Sequence, residues 1–399
     1  MTRIVLLENI HPSATEIFTA AGFTSIVSHA TALPREELLQ AVRAATVLGI
    51  RSRTNLDAGV LAAAPDLRAI GCFCIGTNQV DVDDAMVRGI PVFNAPFSNT
   101  RSVAELVLGE AILLMRRIPE KNARVHQGFW DKTADGAFEA RGKTLGIIGY
   151  GNIGSQVGTL AEALGMQVLF HDVDTKLPRG NARAATSLDQ LLSQSDVVTL
   201  HVPGGQTTKN IMNARALANM KPGAILINAS RGTVVDIEAL AAALASGHIA
   251  GAALDVFPTE PKGKHEPLDS PLRGMANVIL TPHIGGSTQE SQEGIGREVA
   301  AKLVQFLQAG ATKGAVNFPE IAYQPAAGAS RIIHVHKNIP GAMGTLSSVM
   351  AAHGLNIVSQ HLQTRAQVGY VLSDVEGQVD ETVLEDLRSA PITIRCDKI

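Results

Sequence analysis

Three residues of this chain have the types and placement to carry out a reaction together: Arg231 in NASRGT, Glu260 between two prolines in PTEP, and His283 in TPHIGGST. Each follows an apolar run that reads as a strand, namely Ala224–Asn228, Ala250–Asp255 and Val278–Leu280. Open α/β sheets bind ligands beyond the carboxyl ends of their strands, so side chains in successive strand-end turns can share one crevice. A histidine titrating near neutral pH suits the exchange of a hydroxyl proton. A carboxylate beside it raises its pKa and fixes the ring tautomer. A guanidinium holds a substrate carboxylate through its planar fork and polarises the reacting carbon–oxygen bond. Taken singly, the three read as a structural histidine, a loop charge and a surface cation. Taken together they suit hydride transfer on a small 2-hydroxy acid.

That chemistry needs a nicotinamide cofactor, and Gly149-Tyr150-Gly151-Asn152-Ile153-Gly154 is a GxGxxG in the required setting. It follows the apolar run Leu145–Ile148 and opens a helix whose Val157, Leu160, Ala161 and Leu164 share a face. Gly149 permits the tight turn, Gly151 a close backbone approach to a pyrophosphate, and Gly154 the packing of helix on strand. The helix N-terminus offers free N–H groups to the phosphates. Asp172, just past the strand Gln167–Phe170, stands where an acid accepts both ribose hydroxyls and repels a 2′-phosphate. The expected cofactor is therefore NAD rather than NADP, with His171 and Lys176 close enough to soften the preference.

The elements that position these residues form two β-α series. The first has strands at Ile4–Leu7, Val47–Ile50, Leu67–Ile70 and Pro91–Phe93, with helices at Ala14–Ala20, Arg35–Arg43, Leu56–Ala63 and Asp81–Arg88. A long apolar-rich helix follows over about Ser102–Arg117. The second series adds strands at Gln167–Phe170 and Val197–Val202 to those named above, six in all, the content of a Rossmann domain. A helix over about Thr288–Ala309 carries the chain onward, and residues 310–330, rich in Ala, Gly and Pro, read as a linker. The last stretch alternates as βαββαβ: Ile332–His336, Met343–His353, Ile357–Gln363, Tyr370–Val375, Glu381–Ser389 and Ile392–Cys396. That order makes a small ferredoxin-like module. The fold class is α/β.

Composition narrows the partners. Hydrophobic residues make up 45% and charged residues 18%, which fits a soluble, well-packed chain; the net charge of −3 leaves no basic stripe for nucleic acid. Cys72, Cys74 and Cys396 match no zinc spacing and, being odd in number, no disulfide framework, so no metal is expected. The start, Met1-Thr2-Arg3 before Ile4–Leu7, is too short for a signal segment, and no apolar run reaches the roughly 18 residues of a membrane helix. A cytoplasmic protein is expected. Arg51 and Arg53, in RSRT just past a strand end, can grip a phosphate or carboxylate together. Trp130, in HQGFWDKT, suits either a subunit contact or ordinary packing.

The runs GYGNIGSQVG, NASRGTVVD, ALDVFPTEP and NVILTPHIGGST resemble the D-isomer-specific 2-hydroxyacid dehydrogenases. The resemblance implies a catalytic triad at Arg231, Glu260 and His283. It implies NAD contacts at Asn152, Ile153, Asp172, Ala229, Ser230, Asp255, His283, Ile284, Gly285 and Gly286, beside the glycines. It also implies a discontinuous, flavodoxin-like substrate domain (residues 1–98 and 290–318), a Rossmann domain (99–289), a linker (319–330) and a terminal ACT module (331–399). IGCFCIGTNQVD and PVFNAPFSNTRSVAEL, with that module, are similar to the serine-regulated bacterial branch of the family. That similarity implies oxidation of 3-phospho-D-glycerate, with Arg51, Arg53, Asn99 and Arg101 on the substrate and a side reduction of 2-oxoglutarate as a further expectation. It implies L-serine as effector at His336, Asn338 and Asn356 between two paired modules, in a homotetramer. Lys337 stands where the branch has an acid. Two alternatives stay open from sequence: another hydroxy acid such as glycerate, glyoxylate or lactate, and an NAD-sensing binding protein on the same fold.

Overall fold

Short β-branched runs separated by helical stretches cannot bury both faces as hairpins, and they assemble as parallel sheets covered by helices. The computed structural model describes residues 2–261 and 266–399, in two compact units: Met1–Ser98 with Gln292–Ile399, and Asn99–Ser291.

The first unit begins with strands β1 (Arg3–Leu6), β2 (Ser25–Ser28), β3 (Val47–Ile50), β4 (Ala69–Cys72) and β5 (Val92–Asn94), all parallel, in the order β2-β1-β3-β4-β5. Helices α1 (Pro12–Ala20), α2 (Arg35–Arg43), α3 (Ala58–Ala62) and α4 (Val82–Val87) connect them. This is the flavodoxin-like order, and its topological switch point lies between β1 and β3. The central strands β3 and β4 are buried at every residue, hence their unbroken apolar runs. β2 has no counterpart in the sequence reading. It is an edge strand, SIVS, with no fully buried residue, so it carries too little apolar signal to register.

The second unit opens with α5 (Thr100–Met115) and α6 (Ile118–His126), which meet at Arg117 in a left-handed conformation (φ 53°). The sequence reading ran one helix to Arg117 and placed none beyond it. α6 buries no residue and so has no apolar stripe to read. Then follow β6 (Thr144–Ile148), α7 (Asn152–Ala163), β7 (Gln167–His171), β8 (Arg183–Ala184), α8 (Leu188–Gln194), β9 (Val197–Leu200), α9 (Ala214–Ala218), β10 (Ala224–Asn228), α10 (Ile237–Ala245), β11 (Ile249–Leu254) and β12 (Val278–Leu280). The sheet is parallel in the order β12-β11-β10-β9-β6-β7-β8, the doubly wound Rossmann arrangement with a seventh strand. The strand missed from sequence is β8, two exposed residues long.

Helix α11 (Gln289–Ala309) returns to the first unit, where Val299 and Leu303 close over Gly71 of β4; a Cβ on that glycine would lie 2.8 Å from both side chains. The terminal module comprises β13 (Ser330–Lys337), α12 (Ala342–Ala352), β14 (Asn356–Arg365), β15 (Val368–Glu376), α13 (Glu381–Ser389) and β16 (Thr393–Lys398), an antiparallel sheet ordered β14-β15-β13-β16. Alternation along β13 divides its burial. Ile332 faces the core formed with α12 and α13, while Ile333 and Val335 join Phe306, Leu307 and Phe318. The stretch before β13, expected as a loose linker, has neither helix nor strand but is packed, with Thr312, Asn317, Phe318 and Ile321 buried. Arg331 holds it. Its guanidinium pairs with Asp374 at 2.6 Å and donates to the carbonyls of Ala309, Tyr323 and Gln324. Among the described residues no helix is long and apolar enough to cross a membrane.

The seating of α7 on β6 turns on Gly154, where a Cβ would lie 2.1 Å from the Gly149 carbonyl oxygen. Gly154→Ala is therefore expected to destabilise the protein by about 1–3 kcal/mol through overpacking. Chemical denaturation checks this, and an unchanged midpoint would contradict it.

Candidate active site

The nucleotide side of the second unit is built around the turn after β6. Gly149 sits at φ 92°, and a Cβ on it would meet the His201 carbonyl. α7 starts at Gly151 with no side-chain cap, and nothing lies within 4 Å of a Cβ built there. An open approach to uncapped N–H groups is what a pyrophosphate needs. Asp172, past β7, accepts from the Tyr150 amide (2.7 Å) and the Asp174 amide (3.0 Å), and Lys176 Nζ lies 3.9 Å from it. With Phe170, Lys176 and Ala184 it lines a cavity of about 230 Å³, beside an almost wholly exposed Val173. These residues fit a dinucleotide, whose nicotinamide supplies hydride exchange when bound. Asn152 is exposed and Ile153 half-buried at the start of α7.

The catalytic candidates come together at the ends of β10, β11 and β12. Asn228, buried at the end of β10, ties the next turn: its Oδ1 accepts from the Ser230 amide and hydroxyl, and its Nδ2 donates to the Arg231 carbonyl. Ala229 is half-buried within this turn. Gly232 lets it lie against the segment after β11, since a Cβ would be 1.9 Å from the Phe257 carbonyl carbon. Glu260 accepts from the Phe257 amide and, through both oxygens, from His283 Nδ1 at 2.9 and 3.0 Å. His283 Nε2 has no protein partner among the described residues.

His283 itself is left-handed (φ 54°), unusual for a residue with a side chain. Asp255 holds it so. This carboxylate, 1% exposed at the end of β11, accepts from the Thr281 hydroxyl (2.6 Å) on one side of the histidine and from the Ile284 and Gly285 amides (2.7 Å each) on the other. Both of its oxygens are thus engaged in shaping the turn. Gly286 completes it, permitting close approach of the Asn99 amide, 2.8 Å from a built Cβ.

The electrostatics follow from the pair. The hydrogen bond to Glu260 raises the His283 pKa; burial and the Arg231 charge oppose it, while the Glu260 and Asp255 charges add to it. Burial pushes the Glu260 carboxyl up, yet bonding to His283 and the nearby positive charges leave it below its ordinary value. Glu110 on α5 escaped the sequence reading. It is 3% exposed, neither oxygen has a partner among the described residues, and burial with the Asp255 charge pushes its pKa up to about 8. Its one visible signal is an acid within the apolar run LVLGEAILL.

The substrate candidates lie in both units. Asn99 is buried with Oδ1 unpartnered among the described residues, and Arg101 is exposed and paired with Glu105. Arg51 and Arg53 follow β3 in the first unit. Among the described residues neither guanidinium pairs with a carboxylate.

Residues 108–285 match the model for the D-isomer specific 2-hydroxyacid dehydrogenase, NAD binding domain, and residues 332–395 that for the AHAS small subunit-like ACT domain. The chain is 57% identical to D-3-phosphoglycerate dehydrogenase of Escherichia coli K12 over 395 residues, spanning 98% of this chain and 96% of that protein. It is 54% identical to the enzyme of the same name from Haemophilus influenzae, with the same coverage. The crystal structure of D-lactate dehydrogenase from Aquifex aeolicus, complexed with NAD and lactic acid, aligns over 80% of this chain and all of its own (TM-score 0.69, 29% identity). The chain belongs to the D-3-phosphoglycerate dehydrogenases of the D-isomer specific 2-hydroxyacid dehydrogenase family. It is an NAD-dependent oxidoreductase with a terminal ACT domain.

In that ACT domain the effector candidates do not converge. His336 is buried, its Nδ1 bonded to the Lys337 carbonyl and its Nε2 unpartnered. Asn338 is exposed and donates to the Ala366 carbonyl in the β14–β15 turn. Asn356 is exposed at the start of β14 and donates to Glu376. His336 pairs with Gly369 and Asn356 with Glu376, positions seven residues apart on β15 and so about 23 Å apart along the strand. One copy of the domain keeps Asn338 and Asn356 at opposite ends.

A proton donor at His283 would have to be charged in carbonyl reduction, so kcat/KM for reduction is expected to fall as pH rises through its raised pKa. Glu260→Gln is expected to move that limb to lower pH, and His283→Ala to lower kcat at least about 100-fold with NADH affinity retained. pH–rate profiles decide. An unmoved limb would separate Glu260 from the proton chemistry, and near-normal turnover in His283→Ala would remove the histidine from it.

Proposed function

We propose that this protein oxidises 3-phospho-D-glycerate to 3-phosphohydroxypyruvate with NAD, the entry step to L-serine, and that L-serine restrains it. The observation that carries this reading is the Glu260–His283 pair beside Arg231, set in a chain similar along its whole length to D-3-phosphoglycerate dehydrogenases. Arg231 holds the substrate carboxylate and polarises the C2 oxygen. His283 Nε2 takes the hydroxyl proton during oxidation and returns it in reduction, and Glu260 stabilises the charged ring. Asp172 favours NAD by meeting the ribose hydroxyls with a carboxylate.

Arg51 and Arg53 grip the phosphate, and Asn99 and Arg101 are further candidates for substrate contact. The freedom of Arg51 and Arg53 from carboxylate partners among the described residues supports this, as does their place at the end of β3. The second carboxylate of 2-oxoglutarate suits the same cations, which makes that acid a secondary substrate.

For serine, a second copy of the ACT domain paired antiparallel along the β14 edge carries its own Asn356 to the end where Asn338 meets Ala366. The effector site, with His336 beneath, is then shared between two copies. Trp130, 85% exposed with Phe129 and Phe138 also exposed, is not packed within its own chain and suits a second subunit contact. Two separate surfaces of this kind support a homotetramer. Three free cysteines fit the reducing cytoplasm.

NADH consumption with phosphohydroxypyruvate, with and without L-serine, tests the reading. Turnover suppressed by serine is expected; turnover indifferent to serine removes the effector assignment, and no turnover removes the reaction. Arg51→Ala and Arg53→Ala are each expected to raise KM for phosphohydroxypyruvate about tenfold or more, as loss of a charge-assisted contact does, while sparing unphosphorylated hydroxypyruvate. An equal loss with both substrates would contradict phosphate contact.

A further inference from the structure

The switch point of the flavodoxin-like sheet, between β1 and β3, holds a carboxylate that the catalytic triad does not use. Glu8 lies just past β1 and is 7% exposed. Its backbone is left-handed (φ 68°), as is that of Asn9 after it (φ 53°). Two successive non-glycine residues in that region are unfavourable and mark a conformation imposed by its surroundings. What the conformation achieves is visible at the side chain. Oε1 accepts from the Thr54 amide at 2.8 Å and the Arg51 amide at 3.3 Å, and Oε2 from the Arg53 amide at 3.0 Å.

No cation pairs with Glu8 among the described residues, so three backbone N–H groups of one loop compensate a buried carboxylate. A plain turn has no need of so costly a group. Gln79 grips the same loop from the other side, its Nε2 donating to the Arg51 carbonyl at 2.7 Å. Arg51 is thereby held at both its N–H and its C=O. The arrangement has a chemical consequence. Successive N–H groups at a strand-end turn are themselves an anion-binding concavity. Here the protein's own carboxylate occupies them, so a substrate anion is left to the guanidinium groups of Arg51 and Arg53.

We propose that Glu8 is a positioning residue for substrate specificity. It locks the 51–54 loop so that two unpaired arginines present a preformed grip to the phosphate end of the substrate. This rests on the reading of Arg51 and Arg53 as the phosphate grip.

The test is Glu8→Gln, which keeps size and shape but turns an NH₂ group toward N–H donors. Hydrogen exchange at the amides of Arg51, Arg53 and Thr54, slow in the parent protein, is expected to become fast. KM for phosphohydroxypyruvate is expected to rise at least about tenfold from misplacement of the grip, with kcat, NADH affinity and KM for unphosphorylated hydroxypyruvate within about threefold. In an Arg51→Ala/Arg53→Ala background the same change is expected to add nothing. Released amides with an unchanged KM, or an equal rise in the arginine-free background, would overturn the proposal. If the double arginine variant alone binds phosphohydroxypyruvate like the parent, the phosphate reading fails, and the proposal fails with it but for that distinct reason. Should Glu8→Gln not fold, Gln79→Ala, which frees the Arg51 carbonyl, is expected to show the same substrate-selective rise, and its absence would overturn the proposal.

Discussion

A buried carboxylate at a strand end, compensated by backbone N–H groups, is the interaction on which the active-site turns depend. Asp255 is the clearest instance. Thr281 before His283, and Ile284 and Gly285 after it, all donate to this one side chain, and the histidine between them is held in a left-handed conformation. Parallel strands deliver functional residues at their carboxyl ends, where the chain leaves the sheet and its N–H groups lose their ladder partners. A carboxylate there satisfies several donors at once and fixes the turn's shape. Asp172 does the same for the turn after β6, and Glu8 for the loop after β3. Glu110 shows the limit of the device: close to Asp255 and without N–H donors among the described residues, its pKa is pushed up to about 8.

The terminal ACT domain is joined to the five-stranded sheet of the first unit by more than its chain connection. Ile333 and Val335 share a core with Phe306 and Phe318, Arg331 grips the end of α11, and Arg395 donates to the Leu67 carbonyl ahead of β4. One face of the ACT sheet is therefore committed to its neighbours and the other to its own helices, with β14 and β16 as its edge strands.

Much of the site was legible in the sequence because strand-end motifs combine two independent signals. Arg231, Glu260 and His283 each follow an apolar run with polar residues that a turn does not require. The GxGxxG is anchored by a strand before it and an amphipathic helix after it. What escaped has common physical causes. β2 and β8 are edge strands with little burial, and α6 buries nothing, so none has an apolar period. Glu8 and Glu110 act through backbone amides or buried surroundings contributed by distant parts of the chain, which leave no local pattern. The division of the effector candidates between the two ends of a sheet is likewise a property of strand order and not of spacing.

The dependence of catalysis on the Asp255 clamp is measured most directly by the single-turnover rate of hydride transfer in Asp255→Asn, with NADH and phosphohydroxypyruvate both saturating. Saturation removes any effect on binding, and the substitution replaces one acceptor oxygen with a donor facing the Ile284 or Gly285 amide. A rate at least about 100-fold below the parent enzyme is expected, the penalty of a misplaced catalytic group. A rate within about threefold of the parent would mean that the turn presents His283 without the carboxylate, and that the clamp is not what holds the site together.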